Sequence, residues 1–199
     1  MASNDIDENT ISLVTGPARS GKSEWAEALA AQSGRSVIYV ATSKLDPTDQ
    51  EWQQRIQQHR DRRPEHWQLW EVPVALPEAI LAATAQDCLL IDSLGTWLAN
   101  ALDQDDETWQ GTVESLLASL QRTPSQVILV AEETGWGLVP AYPVGRLFRD
   151  RLGALTRQVG AIAGAVYLVV AGYALDVRQL GQGVGTGAKQ GQLRHLGLG

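Results

Sequence analysis

The chain is poor in cysteine, in basic charge and in long apolar runs, and each shortage excludes something. With a single cysteine, Cys88, there is no disulfide framework. Cys88 lies inside the apolar run Cys88-Leu89-Leu90-Ile91, where packing is a more natural role than reactivity. No stretch is long and apolar enough for a signal peptide or a membrane helix, so a cytoplasmic protein with no membrane span is expected. Lys and Arg total 16 against 23 Asp and Glu, a net charge of −7, which argues against nucleic acid or an anionic membrane as partner. What remains is a chain of 199 residues, long enough to close a sizeable core without disulfide or metal. Seven tryptophans are many for that length. Trp25, Trp52, Trp67, Trp97 and Trp109 fall in or beside amphipathic segments, and most are expected in the core.

Residues 1–10 are polar and acidic and read as a flexible N-terminus. From Gln179 the composition shifts to glycine and glutamine, so 179–199 reads as a Gly-rich flexible tail. Its Gly183-Val184-Gly185-Thr186-Gly187 follows no strand and opens no helix, which removes it as a dinucleotide site. Between these ends, 11–178 reads as one domain in which apolar runs alternate with helical patterns. Strands are expected at Ile11–Thr15, Ser36–Ala41, Cys88–Ile91, Gln126–Ala131 and Ala165–Ala171, with a possible further one at Trp67–Val72. Helical spacing covers roughly 22–33, 48–60, 75–85, 95–103, 107–121 and 145–162. Continuous apolar strands separated by helices predict an α/β fold with a mostly parallel sheet covered on both faces.

Residues 16–23 read Gly16-Pro17-Ala18-Arg19-Ser20-Gly21-Lys22-Ser23, a complete G-x-x-x-x-G-K-[ST] phosphate-binding loop. The apolar run before it and the Ala-rich, helix-prone stretch after it supply the strand–loop–helix setting that gives the pattern a mechanism. Glycines let backbone N–H groups turn toward phosphate oxygens, and the new helix adds the positive end of its dipole. Lys22 then reaches the β- and γ-phosphates while the Ser23 hydroxyl ligates Mg²⁺. The chain is expected to bind a nucleoside triphosphate.

Such a loop needs a carboxylate for magnesium. Asp92 closes the run Cys88-Leu89-Leu90-Ile91-Asp92 and so falls at the carboxyl end of a buried strand, where ligands gather in open α/β sheets. It could instead cap the helix that starts near Leu94, a task Ser93 could equally perform. Glu132 and Glu133 end another strand at the same edge, and alternation allows at most one of them to face the nucleotide. Glu133 is either a candidate for activating a substrate hydroxyl or holding magnesium, or a cap for the following loop. His59 shares a helical face with Trp52 and Ile56, with Arg55, Arg60, Arg62 and Arg63 around it. It is either a packed core histidine or a nucleophile toward phosphorus in a polyphosphate site.

The runs Thr15–Ser23, Tyr39-Val40-Ala41-Thr42 and Arg55-Ile56-Gln57-Gln58-His59-Arg60 are similar to those of a known family. So are Glu133-Thr134-Gly135-Trp136-Gly137-Leu138-Val139-Pro140, Arg146-Leu147-Phe148-Arg149-Asp150 and Leu168-Val169-Val170-Ala171-Gly172. From about Leu13 to Gly172, in order, the chain resembles the bifunctional adenosylcobinamide kinase/adenosylcobinamide-phosphate guanylyltransferases of cobalamin biosynthesis. The resemblance implies a P-loop NTPase (RecA-like) fold, a trimer, and GTP, ATP and adenosylcobinamide as substrates with Mg²⁺. It implies that His59 is guanylylated by GTP, and that the GMP then passes to adenosylcobinamide phosphate, giving adenosylcobinamide-GDP. Nucleotide contacts map onto Gly16 to Ser23, Ala41, Thr42, Ser43, Arg60, Asp61, Arg62, Arg63, Glu71 and Asp92, with Ser23 and Asp92 at the metal.

The chain departs from the family in three places. Asp92 stands where some members carry glutamate, which keeps a carboxylate. Glu132 replaces a family asparagine. The family's Gly-x-x-Asn-Gln is Gly153-Ala154-Leu155-Thr156-Arg157-Gln158 here, so Thr156 replaces an asparagine. Two other readings stand beside the bifunctional enzyme: a P-loop kinase with one activity, which the Thr156 departure suits, and a nucleotide-driven regulatory switch, which has no need of His59 among arginines.

Overall fold

A computed structural model describes residues 10–44 and 63–184. The helical pattern over 48–60, with Trp52, Ile56 and His59, lies outside the described residues, as do residues 1–9 and the tail from Gly185 onward.

The described elements run β1 (Ile11–Gly16), α1 (Lys22–Gln32), β2 (Ser36–Ala41), β3 (Gln68–Glu71), α2 (Leu76–Ala82), β4 (Asp87–Asp92) and α3 (Leu94–Asn100). They continue with α4 (Asp106–Arg122), β5 (Gln126–Glu132), α5 (Pro143–Ile162), β6 (Ala165–Val170), β7 (Tyr173–Asp176) and α6 (Val177–Leu180). The strands form one sheet in the order β3-β2-β4-β5-β1-β6-β7. Every pairing is parallel except β6 with β7.

Strand alternation divides the core in two. Val14, Val37, Tyr39, Cys88, Leu90, Ile128 and Val130 pack on one face with Ala26 and Ala30 of α1. Leu13, Ile38, Val40, Leu89, Ile91 and Leu129 point the other way, under Leu76 and Ile80 of α2, Trp97 and Leu98 of α3, Leu116 of α4 and Leu155 of α5. Central strands buried on both faces are what continuous apolar runs require. Cys88 is fully buried, and that burial pushes its thiol up to about 11, so it is a packing residue.

Most expected elements are present with ends moved by a few residues. The helix expected over 95–103 stops at Asn100, whose amide donates to the carbonyls of Thr42 (2.7 Å) and Pro73 (2.9 Å). Beyond it the carbonyls of Leu102 and Gln104 accept from the buried Arg151 guanidinium, which also pairs with Asp106 at 2.9 Å. The strand expected to reach Ala171 ends at Val170, because Ala171 (φ 50°) and Gly172 (φ 81°) turn the chain back into β7. Two successive positive φ values are the requirement of the tight hairpin turn that matches strand twist. Helix α6 runs past the boundary expected at residue 178. Trp97 and Trp109 are core residues as expected, their rings 5.8 Å apart, whereas Trp136 is 61% exposed.

Candidate functional site

The phosphate-loop sequence forms the turn between β1 and α1. Gly16 ends the strand so close to β6 that a Cβ there would lie 2.2 Å from the Val169 carbonyl oxygen, so no larger residue fits. Arg19 (φ 59°) and Gly21 (φ 96°) both take left-handed backbone, which curls the loop around its own centre. Gly21 is the N-cap of α1 and caps it with no side chain. Within the loop the buried Ser20 hydroxyl has no hydrogen-bond partner, and Lys22 Nζ donates to the Pro17 carbonyl at 3.4 Å. Pro17, Ala18, Arg19 and Ser23 are half-buried or exposed around it.

Sheet register carries other expected residues to the same edge. Ala41 pairs with Glu71 on one side and Asp92 on the other, and Gly16 pairs with Glu132. Asp92 has the parity of Cys88 and Leu90, so it stands on the α1 face, as the phosphate loop does. Its Oδ2 accepts the Tyr39 hydroxyl at 3.0 Å. Burial first, then the Asp92 charge, push that phenol far above its ordinary pKa, so it remains a donor. The Arg63 guanidinium lies over the Tyr39 ring, 4.3 Å from its centre, which ties the first described residue after the 45–62 segment to Asp92 through one side chain. Glu71 is exposed and lines an open groove of about 580 Å³ with Trp70, Val72, Pro73, Val74 and Glu78.

Behind Asp92 is a buried polar corner. Ser93 begins α3 with a capping box: its hydroxyl accepts from the Thr96 N–H, and the Thr96 hydroxyl accepts from the Ser93 N–H at 3.1 Å. Helix capping at this corner therefore falls to Ser93 and leaves the Asp92 carboxylate for other work. The fully buried Thr42 hydroxyl donates to the Ser93 carbonyl at 2.7 Å and lies 2.5 Å from the Thr96 hydroxyl. Thr42 thus holds the corner, while neighbouring Ser43 is half-buried at the edge. Of the two glutamates, Glu132 carries the parity of Ile128 and Val130, toward α1. Glu133 instead accepts from the Gly135 N–H, which makes it a cap of its own loop.

The donor set around the phosphate loop, a serine hydroxyl and an aspartate with phosphate oxygens to come, is one of hard oxygens and fits magnesium. Among the described residues no group of three or more His, Cys, Asp or Glu could hold a metal by itself. Magnesium is normally held by one or two carboxylates together with substrate phosphates, so this sparse set suits it. His59, Arg60, Asp61 and Arg62 lie outside the described residues. Tyr39 and Glu132 received no role from the sequence, although the alternation of their strands places both on the α1 face. Thr156, on α5, has a buried hydroxyl without a hydrogen-bond partner.

Comparison with known proteins adds what geometry alone does not. Residues 12–177 match the family described as CobU, cobinamide kinase / cobinamide phosphate guanyltransferase. The bifunctional adenosylcobalamin biosynthesis protein CobP of Pseudomonas aeruginosa is 42% identical over 168 residues, covering 83% of this chain and 96% of that protein. CobU of Escherichia coli, also described as a bifunctional adenosylcobalamin biosynthesis protein, is 39% identical over 181 residues, covering 83% and 98%. Among solved structures, a prototypical ATPase from the type III secretion system of pathogenic bacteria superposes with a TM-score of 0.50 at 14% identity, covering 86% of this chain and 58% of that one. The fold is that of a P-loop NTPase, with the RecA-like mostly parallel sheet.

Proposed function

Because the chain belongs to the cobinamide kinase / cobinamide phosphate guanyltransferase family, we propose that it phosphorylates adenosylcobinamide and then joins GMP to the product through a guanylylated histidine. The observation that carries the reading is the convergence of the phosphate loop, Asp92 and Glu71 on one sheet edge, with Arg63 tied to Asp92 through Tyr39.

In the kinase step the substrate hydroxyl oxygen attacks the γ-phosphorus of ATP or GTP, the nucleoside diphosphate leaves, and the hydroxyl proton is lost. Backbone N–H groups of Gly16 to Ser23 and the Lys22 ammonium hold the phosphates where charge develops. Ser23 and Asp92 would hold magnesium, which neutralises phosphate charge and orients the triphosphate. In the transferase step a neutral His59 nitrogen attacks the α-phosphorus of GTP, pyrophosphate leaves, and a P–N bond joins the enzyme to GMP. The phosphate oxygen of adenosylcobinamide phosphate then attacks that phosphorus, the P–N bond breaks, and His59 returns with adenosylcobinamide-GDP released. Arg60, Asp61, Arg62, Arg63, Ala41, Thr42, Ser43 and Glu71 serve the nucleotide. A homotrimer in the cytoplasm completes the reading.

The test is incubation with GTP carrying ³²P at the α position, in the presence of Mg²⁺. Acid-labile, base-stable label on the protein is expected, and none on His59→Asn. Kinase turnover should survive that substitution, because direct transfer to a hydroxyl needs no covalent enzyme intermediate. Full guanylyl transfer by a folded His59→Asn chain would refute the covalent route.

A further inference from the structure

Glu132 has no part in the steps above, yet its carboxylate joins two strand ends at the edge that carries the phosphate loop. It ends β5 and pairs in register with Gly16, the first residue of the phosphate loop. Its carboxylate reaches across to the neighbouring strand-to-helix corner: Oε1 accepts the Ser93 hydroxyl, and Oε2 accepts the Gly95 N–H at 3.1 Å. The two donors lie one and three residues after Asp92. The fit is close on both sides, since a Cβ at position 95 would lie 2.1 Å from Oε2 and 2.8 Å from Cδ of Glu132. A larger residue at 95 would require the Glu132 carboxylate to shift.

Burial, and the nearby Asp92 charge, push the Glu132 carboxyl above its usual range, while Ser93 and Lys22 oppose the shift. The Asp92 and Lys22 charges both act on this carboxylate, with opposite signs. A carboxylate beside another carboxylate is unfavourable unless its donors are fixed. Here the Gly95 main-chain N–H and the Ser93 capping hydroxyl supply them, both within three residues of Asp92. A chain that only needed to fill this space could do so with an uncharged side chain.

We propose that Glu132 is a positioning residue for the triphosphate site: it clamps the β4–α3 corner to the end of the phosphate-loop strand pair and so fixes Asp92 relative to Lys22, with Gly95 as the complementary half of the clamp. The proposal rests on the reading of Asp92 as the magnesium carboxylate.

The clamp itself is tested without nucleotide or metal, by thermal unfolding of Gly95→Ala, Glu132→Ala and the double variant. Gly95→Ala should lower Tm clearly in the native chain and far less in the Glu132→Ala background, where the added methyl meets no carboxylate. Equal losses in both backgrounds overturn the contact. Positioning is tested by calorimetric GTP binding with Mg²⁺ and with EDTA. Glu132→Ala should keep its affinity in EDTA, where the phosphate loop acts alone, and lose about 10- to 100-fold of the gain that magnesium brings. Glu132→Gln keeps an oxygen for Gly95 and should recover part of that gain; it also carries the comparison if Glu132→Ala fails to fold. An equal loss with and without magnesium would make Glu132 a structural strut and overturn the proposal. Asp92→Asn separates the premise from the inference. If it leaves the magnesium gain intact, the reading of Asp92 fails by itself, whatever Glu132 does.

Discussion

At the β1–α1 corner the helix begins on Gly21, whose left-handed φ of 96° and missing side chain leave the first turn without a side-chain cap. At the β4–α3 corner, at the same edge of the sheet, the helix begins on Ser93, closed by a capping box with Thr96 and by the Glu132 carboxylate on the Gly95 N–H. Both are turns from a parallel strand into a helix, and both direct a helix N-terminus toward the ligand edge. One leaves its amides to an incoming anion, which is how helix ends and glycine loops bind phosphate. The other consumes its donors internally and so can hold Asp92 steady but offers little to a phosphate. The two corners thus differ in how the first helical turn is capped, through a glycine at one and a serine at the other.

The largest effect should come from emptying the open corner. Lys22→Ala removes the charge that phosphoryl transfer needs, so both reactions should fall by orders of magnitude. The fold should persist, because the hydrogen bond that the half-buried side chain makes to the Pro17 carbonyl is long, 3.4 Å. Turnover of each step, measured beside thermal unfolding, decides it. Near-normal rates for either step would mean that the two reactions do not share this loop.

Opening the closed corner should cost stability before it costs binding. Ser93→Ala deletes the cap to Thr96 and the hydroxyl that serves Glu132, both within a buried network. Loss of an N-cap with a buried partner left short of a donor is worth about 1–3 kcal/mol. Urea unfolding should show that loss while GTP affinity in EDTA changes far less than in Lys22→Ala. A destabilisation near zero would make the two corners energetically alike and break the contrast.

The open corner was legible in the sequence and the closed one only in part, for a physical reason. A phosphate loop is local: eight consecutive residues and their flanks state it. Asp92 was legible from the apolar run that it ends, and the parallel sheet follows from such runs. The β4–α3 corner joins Thr42, Ser93, Thr96 and Glu132 from three separate stretches, and no spacing rule announces such a meeting. Sequence alternation limited the Glu132–Glu133 pair to one residue facing the nucleotide, and the resemblance favoured Glu133. The Glu132 carboxylate accepts from Ser93 and Gly95, while Glu133 accepts from the Gly135 N–H. Strand β7 was missed because it is only four residues long, Tyr173–Asp176, and Tyr173 and Leu175 are exposed at the sheet edge.

Helix α4, like α3, has a side-chain cap, and it gives the mildest test of the comparison because that cap is exposed. Asp105 begins α4 by accepting the Thr108 N–H at 2.8 Å. That N–H, then the Thr108 side chain, hold the Asp105 carboxyl below its usual range. A carboxyl lowered in the folded state adds stability that is complete above its unfolded value and disappears as pH falls through the folded one. Asp105→Ala should therefore lower Tm slightly at about pH 7, and the difference from the native chain should narrow below about pH 4, where the unfolded carboxyl begins to protonate. The loss should be smaller than for Ser93→Ala, since water screens the exposed carboxylate and replaces part of the lost bond. Thermal unfolding of both chains across the acid range checks the sign. A gap that widens in acid would show that charge is not what this cap contributes, and would leave burial without support as the feature that sets Ser93 apart.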